Sequence, residues 1–156
     1  MISIVKCDIT NAKENIICHQ VNCQGVMGSG VAKALFTKYP QMRKDYLKYY
    51  AENSESHLPE DLLGRVIFTR IAKNQYIASI FGQLNYGRLK NIVYTNYEAL
   101  ENGLKYVGKI AGYDKSIAIP YFIGCGLANG SWDIVYDIID NVLGDKSVVL
   151  YQYREV

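Results

Sequence analysis

Two kinds of hydrophobic pattern alternate along the chain. Short apolar runs bounded by turn residues predict six β-strands, at residues 2–5, 16–21, 64–71, 75–81, 116–119 and 148–153. Segments whose apolar residues recur every three or four positions predict helices, at residues 31–36, 42–50, 97–111 and 132–142. Strands that alternate with helices predict an α/β/α layered domain. The turn at residues 73–74 joins two strands into a hairpin, so the central sheet is predicted to be mixed.

Local signals place the helix boundaries. Thr95 and Glu98 have the spacing of a capping box ahead of the helix over 97–111. The first helix is predicted to end at residues 39–40, where a proline follows a tyrosine. Residues 52–61 are polar and contain Pro59, so they predict an exposed connection.

A glycine-rich segment links the fifth predicted strand to the last helix. Residues 117–132 read IAIPYFIGCGLANGSW, in which a short apolar run turns at Pro120, passes three glycines and opens onto a helix at Ser131. Glycine lets the backbone approach a ligand closely, and the free amides and dipole of a helix start attract anions. The segment therefore predicts a phosphate site.

A second segment early in the chain has the same order of elements. The predicted strand IICHQV is followed by the glycine loop NCQGVMGSG over residues 22–30 and by a helix from Val31. In α/β sheets, ligands bind beyond the carboxyl ends of the strands, where both loops lie. Two anion sites in one small domain predict a diphosphate between them.

Composition restricts the class of protein. The 156 residues fit one domain over residues 1–156, and 17 basic against 15 acidic residues give a net charge of only +2. Nucleic-acid binding by charge alone is therefore disfavoured. No apolar stretch approaches the ~18 residues that span a bilayer, and the N-terminus lacks a signal-peptide core. We expect a soluble, cytoplasmic protein that does not bind membranes.

The cysteines and the standard nucleotide motifs narrow the chemistry further. The four cysteines, Cys7, Cys18, Cys23 and Cys125, form no CxxC pair, which favours buried reduced thiols over disulfides or zinc. The GxGxxG fingerprint is incomplete and no Gly-Lys-Ser/Thr occurs, so neither a dinucleotide-binding Rossmann unit nor a P-loop is predicted. We expect no metal and no cofactor.

The order of these landmarks resembles that of macro domains. The landmarks are Asp8 after the first strand, VNCQGVMGSGVA at residues 21–32 and IPYFIGCGLANGSW at residues 119–132. The chain is most similar to the branch with ADP-ribose 1''-phosphate phosphatases and terminal ADP-ribose protein glycohydrolases, which has phage and bacterial members. The resemblance implies a three-layer α/β/α macro domain with a central mixed sheet, whose ligand is ADP-ribose or ADP-ribose 1''-phosphate.

The resemblance also implies roles for individual residues. Asp8 would accept a hydrogen bond from the adenine amino group beside the Ile9 amide, although Asp8 alternatively only caps its turn. Asn22 would face the distal ribose. Backbone amides of two loops would enclose the diphosphate and distal ribose, and they belong to Met27, Gly28, Ser29, Gly30, Val31, Ile123, Gly124, Cys125, Gly126 and Leu127. Tyr151 and Tyr153 are candidates for stacking on adenine, or they simply flank a strand.

The resemblance leaves the activity between enzyme and binding module. Glycohydrolases of this branch use a lysine and an aspartate, at positions that correspond here to Gln83 and Ala128. Neither side chain can form a Schiff base or move a proton, so that mechanism is disfavoured. Gln83 either hydrogen-bonds the ligand or only fixes its loop. His19, three residues before Asn22, resembles the histidine of the phosphatases and implies dephosphorylation of ADP-ribose 1''-phosphate.

Alternatives to this activity remain at the level of the sequence. His19 is alternatively a satisfied strand histidine. Cys125 lies in a Gly-Cys-Gly turn like a nucleophile elbow, with His19 as a conceivable base. The domain is otherwise a non-catalytic module for ADP-ribose, a related NAD metabolite or ADP-ribosylated macromolecules, or a de-ADP-ribosylating hydrolase without the lysine.

Overall fold

The structure is a computed structural model that describes residues 1–153. A six-stranded sheet runs through its centre in the order β1-β6-β5-β2-β4-β3. Its strands are β1 (Ile2–Val5), β2 (Ile16–Asn22), β3 (Val66–Ala72), β4 (Gln75–Gln83), β5 (Ile117–Pro120) and β6 (Val148–Tyr151). Neighbouring strands are parallel except for the antiparallel β3–β4 hairpin at one edge. The sheet is therefore mixed, as predicted.

Four α-helices cover the two faces of the sheet: α1 (Gly30–Lys38), α2 (Pro40–Ser54), α3 (Tyr97–Ala111) and α4 (Trp132–Leu143). Two short 3₁₀-helices lie at Ile9–Asn11 and Pro59–Leu62. Pro40 separates α1 from α2, because proline is tolerated in a first helical turn but interrupts a helix interior. Within residues 1–153, no helix is long and apolar enough to cross a membrane.

Strand β2 separates two hydrophobic cores. Cys18 packs with α3 and α4 on one face, whereas Ile17 and Val21 pack with α1 and α2 on the other. Because β2 lies between β5 and β4 and both of its faces are covered, its residues are buried almost without interruption, as in other interior parallel strands. These two cores give the three-layer α/β/α architecture that the sequence predicts.

The capping box predicted at Thr95 and Glu98 is wrong. Asn96 is the N-cap of α3, and its side chain accepts a hydrogen bond from the Ala99 amide at 2.9 Å. Thr95 remains extended because it forms a β-bridge with Gln83.

Several element boundaries also differ from the sequence prediction. Helix α2 continues to Ser54, into the segment predicted to be an exposed connection. Strand β3 begins at Val66 instead of residue 64, and β4 extends two residues beyond its predicted end, to Gln83. Strand β6 ends at Tyr151, so Tyr153 lies beyond the strand.

Candidate ligand site at the carboxyl edge of the sheet

The parallel strands bring the predicted site residues to one edge of the sheet. Strands β1, β6, β5, β2 and β4 run in the same direction. The segments that follow them therefore emerge together, and these segments begin at Lys6, Gln152, Tyr121, Cys23 and Leu84. We call residues 23–29 loop 1 and residues 121–131 loop 2. Because β2 and β5 are paired neighbours, these two glycine loops start side by side.

Asn22 organises loop 1 from its first turn. Its side-chain oxygen accepts from the Gln24 amide at 3.0 Å, and its side-chain nitrogen donates to the Val26 carbonyl at 2.7 Å. The residue is only 8% exposed. Asn is well suited to stabilise such a turn through its side chain. The turn directs the rest of loop 1 toward the start of α1. The predicted contact of Asn22 with a ribose stays a prediction.

The first backbone amides of α1 have no hydrogen-bond acceptor among the described residues. Ser29 is the N-cap, but its side chain makes no capping hydrogen bond, and the first amides of any helix lack an intrahelical acceptor. A Cβ added to Gly28 or Gly30 would meet no heavy atom within 4 Å. Gly30 has a φ of +61°, which favours glycine. Loop 1 therefore ends in an open, amide-lined surface, as the glycine pattern predicts. Met27 contributes only its backbone there, because its side chain is buried in the α1–α2 core.

Loop 2 is a compact turn closed by its own backbone. The Gly130 amide donates to the Gly124 carbonyl at 2.9 Å, and the Asn129 amide donates to the Gly126 carbonyl at 3.0 Å. Within residues 1–153, the amides of Gly126 and Leu127 donate no hydrogen bond. Both residues are exposed, and a Cβ at Gly126 would meet nothing within 4 Å. Loop 2 therefore also offers free amides beside open space.

Two other amides of the predicted set are used inside loop 2. The Ile123 amide donates to the Pro120 carbonyl at 3.0 Å, and the Cys125 amide donates to the Phe122 carbonyl at 2.8 Å. The Ile123 side chain is buried in the α3–α4 core. These contacts fix the shape of the loop, and they leave Gly126 and Leu127 better placed than Ile123 or Cys125 to donate to a ligand.

An aromatic cluster holds the start of loop 2 against α4. The Trp132 ring centroid lies 4.6 Å from that of Tyr121 and 5.4 Å from that of Phe122. Phe122 has a φ of +69°, an unfavourable conformation for a bulky residue that is found mainly where the surroundings impose it. The ring contacts stabilise this strained turn, which sets the direction in which loop 2 leaves β5.

A cleft of about 420 Å³ lies beside loop 1. Asp8, from the segment after β1, lines this cleft together with one face of α1. The Asp8 side chain accepts from the Thr10 amide at 2.9 Å and caps the short helix Ile9–Asn11, so the capping role considered for Asp8 is confirmed. Its contact with adenine stays a prediction, and Ile9 can contribute only its backbone because its side chain is buried.

Most of the residues that line this cleft are not among the site residues predicted from the sequence. Besides Asp8 and Gly30, they are Thr10, Lys33, Ala34, Thr37 and Lys38. The four from α1 follow Gly30 at intervals of three and four residues, which places them on one helical face. That spacing is the signal in the sequence that could have revealed them.

Comparisons with known proteins agree with this architecture. No protein-family model matches the chain. A curated relative from Saccharomyces cerevisiae (strain YJM789), named ADP-ribose 1''-phosphate phosphatase, is 26% identical over 178 residues, which cover 97% of this chain and 98% of the relative. The structure of a macrodomain protein from Streptomyces coelicolor is 26% identical with a TM-score of 0.79, over 97% of this chain and 98% of that one. The chain has the macro domain fold.

The macro domain fold also occurs in Thermosipho africanus DarTG, which was solved in complex with ADP-ribose. That structure has a TM-score of 0.77 and 20% identity, and the match covers 99% of this chain and 43% of the other. At this identity the likeness concerns the fold.

His19 lies in the interior of this macro domain. Its ring is 1% exposed, and Nε2 is 2.7 Å from the Ser79 hydroxyl oxygen. Within residues 1–153, Nδ1 has no hydrogen-bond partner. Burial lowers the pKa of His19 to about 3, so the ring is neutral at physiological pH. The predicted role of His19 in dephosphorylation therefore has no support from its position, since the residue does not reach the open surface.

The interpretation of Cys125 as a nucleophile also lacks support in this macro domain. Its half-buried thiol donates to the Ile123 carbonyl at 3.4 Å, and burial raises the pKa of Cys125 to about 11. A thiol nucleophile requires a lowered pKa or an adjacent base. The only hydrogen bond of the His19 ring within residues 1–153 is to Ser79, so His19 is not that base.

Gln83 fixes its own loop through both ends of its carboxamide. The side-chain oxygen accepts from Gln20 Nε2 at 2.9 Å, and the side-chain nitrogen donates to the Asn85 carbonyl at 2.8 Å. Ala128 is 7% exposed.

Within residues 1–153, no group of three or more His, Cys, Asp and Glu residues is placed to bind a metal ion.

The two tyrosines considered for adenine stacking have different surroundings. The Tyr151 hydroxyl donates to Glu14 Oε1 at 2.6 Å, and its ring packs against the α1–α2 core. Burial and the bond to Glu14 raise the pKa of Tyr151. Tyr153 is 67% exposed, so of the two it has more ring surface available for a ligand.

Proposed function

We propose that this macro domain binds ADP-ribose or a close derivative. The diphosphate would lie between loop 1 and loop 2, and the adenine would lie in the cleft beside Asp8. The observation that carries the proposal is that two glycine loops, on adjacent parallel strands, each present amides beside open space that have no hydrogen-bond partner within residues 1–153.

The chemistry of these loops matches a diphosphate better than a base or a sugar. Free amides at a helix start donate to phosphate oxygens, and the helix dipole adds a favourable partial charge. The N-cap side chains of α1 and α4, Ser29 and Ser131, make no capping hydrogen bond to these amides, whereas Asn96 caps α3. The macro domain relatives also support this ligand, since one of them was solved with ADP-ribose.

Calorimetric titration tests the proposal. ADP-ribose is compared with ADP, which lacks the distal ribose, and with NAD, in which that ribose carries nicotinamide. Selective binding of ADP-ribose supports the proposal. Absence of ADP-ribose binding would refute it, and equal affinity for ADP would place recognition in the adenosine diphosphate alone.

We also propose ADP-ribose 1''-phosphate as a substrate. The observation that favours it is the similarity to the yeast ADP-ribose 1''-phosphate phosphatase along almost all of both chains. Water would attack the terminal phosphorus, the bond from phosphorus to the 1''-oxygen would break, and that oxygen would take a proton from solvent. The products would be inorganic phosphate and ADP-ribose. Loop amides would stabilise the negative charge on the phosphoryl oxygens.

The competing function is a binding module without turnover. By the resemblance, Gln83 and Ala128 correspond to the lysine and aspartate of related glycohydrolases and can replace neither, and His19 is buried. Phosphate release from ADP-ribose 1''-phosphate, with p-nitrophenyl phosphate as a control substrate, separates the two functions. Selective release supports the phosphatase. Binding without release would assign the site to free ADP-ribose or to ADP-ribosylated macromolecules.

A further inference from the structure

Thr95 contacts loop 2 from outside the loop. It is 5% exposed and lies just before α3, where it forms a β-bridge with Gln83 at the end of β4. Its hydroxyl donates to the Gly124 carbonyl at 2.6 Å. Its amide donates to the Ala128 carbonyl at 3.3 Å. One residue therefore holds loop 2 at two positions, residues 124 and 128, and the free amides of Gly126 and Leu127 lie between them.

Gln20 fixes the direction of the Thr95 hydroxyl. Gln20 Nε2 lies 3.0 Å from Thr95 Oγ1 and 2.9 Å from Gln83 Oε1. Because an amide nitrogen can only donate, Thr95 Oγ1 accepts this bond and its own proton is directed to Gly124. The chain of bonds thus runs from β2 through Thr95 into loop 2.

The Gly124 carbonyl accepts both the last hydrogen bond of this series and the hydrogen bond that closes loop 2. It accepts from Thr95 and also from the Gly130 amide at 2.9 Å. Gly124 has a φ of +74°, and a Cβ there would lie 2.9 Å from Thr95 Oγ1. The close approach of the hydroxyl thus requires glycine at position 124 as well as its left-handed backbone.

We propose that Thr95 is a positioning residue for the ligand site. Its two hydrogen bonds set the orientation of the Gly126 and Leu127 amides toward the ligand, and Thr95 itself does not touch the ligand. This inference rests on the proposed binding of ADP-ribose and assigns the shape of loop 2 to a residue outside both glycine loops.

A matched pair of threonines makes the inference testable. Thr69 on β3 is also buried, at 1% exposure, and its hydroxyl donates to Asp45 Oδ2 at 2.7 Å on α2. Thr95→Val and Thr69→Val each remove one buried hydroxyl and the hydrogen bond that it donates within the protein. Thr95→Val also removes the acceptor of the Gln20 bond. Thr95→Ser keeps the hydroxyl and loses only a methyl group.

The experiment measures the dissociation constant for ADP-ribose by calorimetry, the amide chemical shift of Gly126 and the urea midpoint for each variant. We expect Thr95→Val to weaken binding by about tenfold, which corresponds to the loss of one well-placed hydrogen bond. We expect Thr95→Ser and Thr69→Val to bind within about twofold of wild type, although Thr69→Val also lowers the urea midpoint. The Gly126 amide should shift in Thr95→Val and not in Thr69→Val.

The outcomes separate this inference from the proposed function. If wild type binds ADP-ribose and Thr95→Val binds equally well, the positioning role is refuted and the proposed function stands. If Thr69→Val weakens binding as much as Thr95→Val, the effect follows from stability and the positioning role is again refuted. If wild type does not bind ADP-ribose, both are refuted.

Discussion

The Tyr46 hydroxyl contacts both oxygens of Asn22, the backbone oxygen at 2.7 Å and the side-chain oxygen at 3.0 Å. Tyr46 is fully buried on α2, and burial raises the pKa of its phenol, which therefore stays protonated as a donor. Because Asn22 in turn bonds the backbone of loop 1, the shape of this ligand loop depends on a helix that does not line the cleft.

This dependence predicts a linked loss of stability and binding in Tyr46→Phe. The substitution removes the buried hydroxyl that donates to Asn22, so we expect the free energy of unfolding to fall by about 1–2 kcal/mol and ADP-ribose binding to weaken. Tyr49→Phe is the control, since Tyr49 lies on the same helix and also packs against Phe81. Urea unfolding and calorimetry compare the two. Unchanged binding in Tyr46→Phe would show that loop 1 keeps its shape without this contact.

Alanine at Gly28 or Gly126 should separate stability from binding. A Cβ at either position meets no protein atom within 4 Å, so each variant should be as stable as wild type or more stable by up to about 1 kcal/mol, because alanine restricts the unfolded chain. The added methyl group would project into the space assigned to the ligand, and we expect binding of ADP-ribose to weaken.

Gly103→Ala provides the opposite control. A Cβ there would overlap Ile80 Cγ2 in the α3–α4 core, so this variant should lose stability by overpacking. Calorimetry compares the ADP-ribose affinity of all three variants, and urea unfolding compares their stability. Normal ADP-ribose affinity in Gly28→Ala and Gly126→Ala would place the ligand elsewhere.

Asp8→Ala tests adenine recognition. The substitution removes the acceptor for the Thr10 amide, at a cost of about 1 kcal/mol, and it removes the carboxylate predicted to bind the adenine amino group. Asp61→Ala is a matched control, because Asp61 accepts from the Leu58 amide at 2.9 Å at the start of the other 3₁₀-helix. We expect weaker calorimetric binding of ADP-ribose only in Asp8→Ala. Equal affinities in the two variants would restrict Asp8 to capping.

Much of this architecture could be predicted because its signals are local. The apolar face of α3 follows from residues three and four positions apart, and the two loops are marked by glycines between a strand and a helix. The positive φ of Gly30 and Gly124 has the same origin, since glycine is the residue that adopts it without strain.

The features that the sequence did not reveal depend on contacts between distant segments. The sequence places His19 on β2, three residues before Asn22. It does not reveal how deeply α1, α2 and β4 bury this residue. Thr95 has the spacing of a capping residue, yet its hydroxyl bonds Gly124, 29 residues away. Lys33 lines the cleft only because α1 packs beside the segment that carries Asp8.

Burial of neutral His19 predicts a specific dependence of stability on pH. The pKa of His19 falls from 6.5 to about 3 on folding, so between these values the unfolded chain binds a proton that the folded chain does not. The contribution of neutral His19 to the free energy of unfolding is fully present above pH 6.5. This contribution is lost as the pH falls, by up to about 1.4 kcal/mol per pH unit.

Urea unfolding from about pH 7 to about pH 5 measures this slope. We expect His19→Gln to flatten it, because glutamine does not titrate, and we expect His57→Gln to keep it, since His57 is exposed. Parallel slopes for wild type and His19→Gln would mean that His19 is not buried as a neutral ring.

The most direct test of the ligand site follows glycine amides by NMR during titration with ADP-ribose. We expect large shifts for the amides of Gly28, Gly30 and Gly126, in loop 1, at the start of α1 and in loop 2. We expect no shift for Gly103 and Gly112, within and just after α3. Shifts confined to one loop, or absent from all three site glycines in the presence of bound ligand, would contradict a diphosphate held between the two loops.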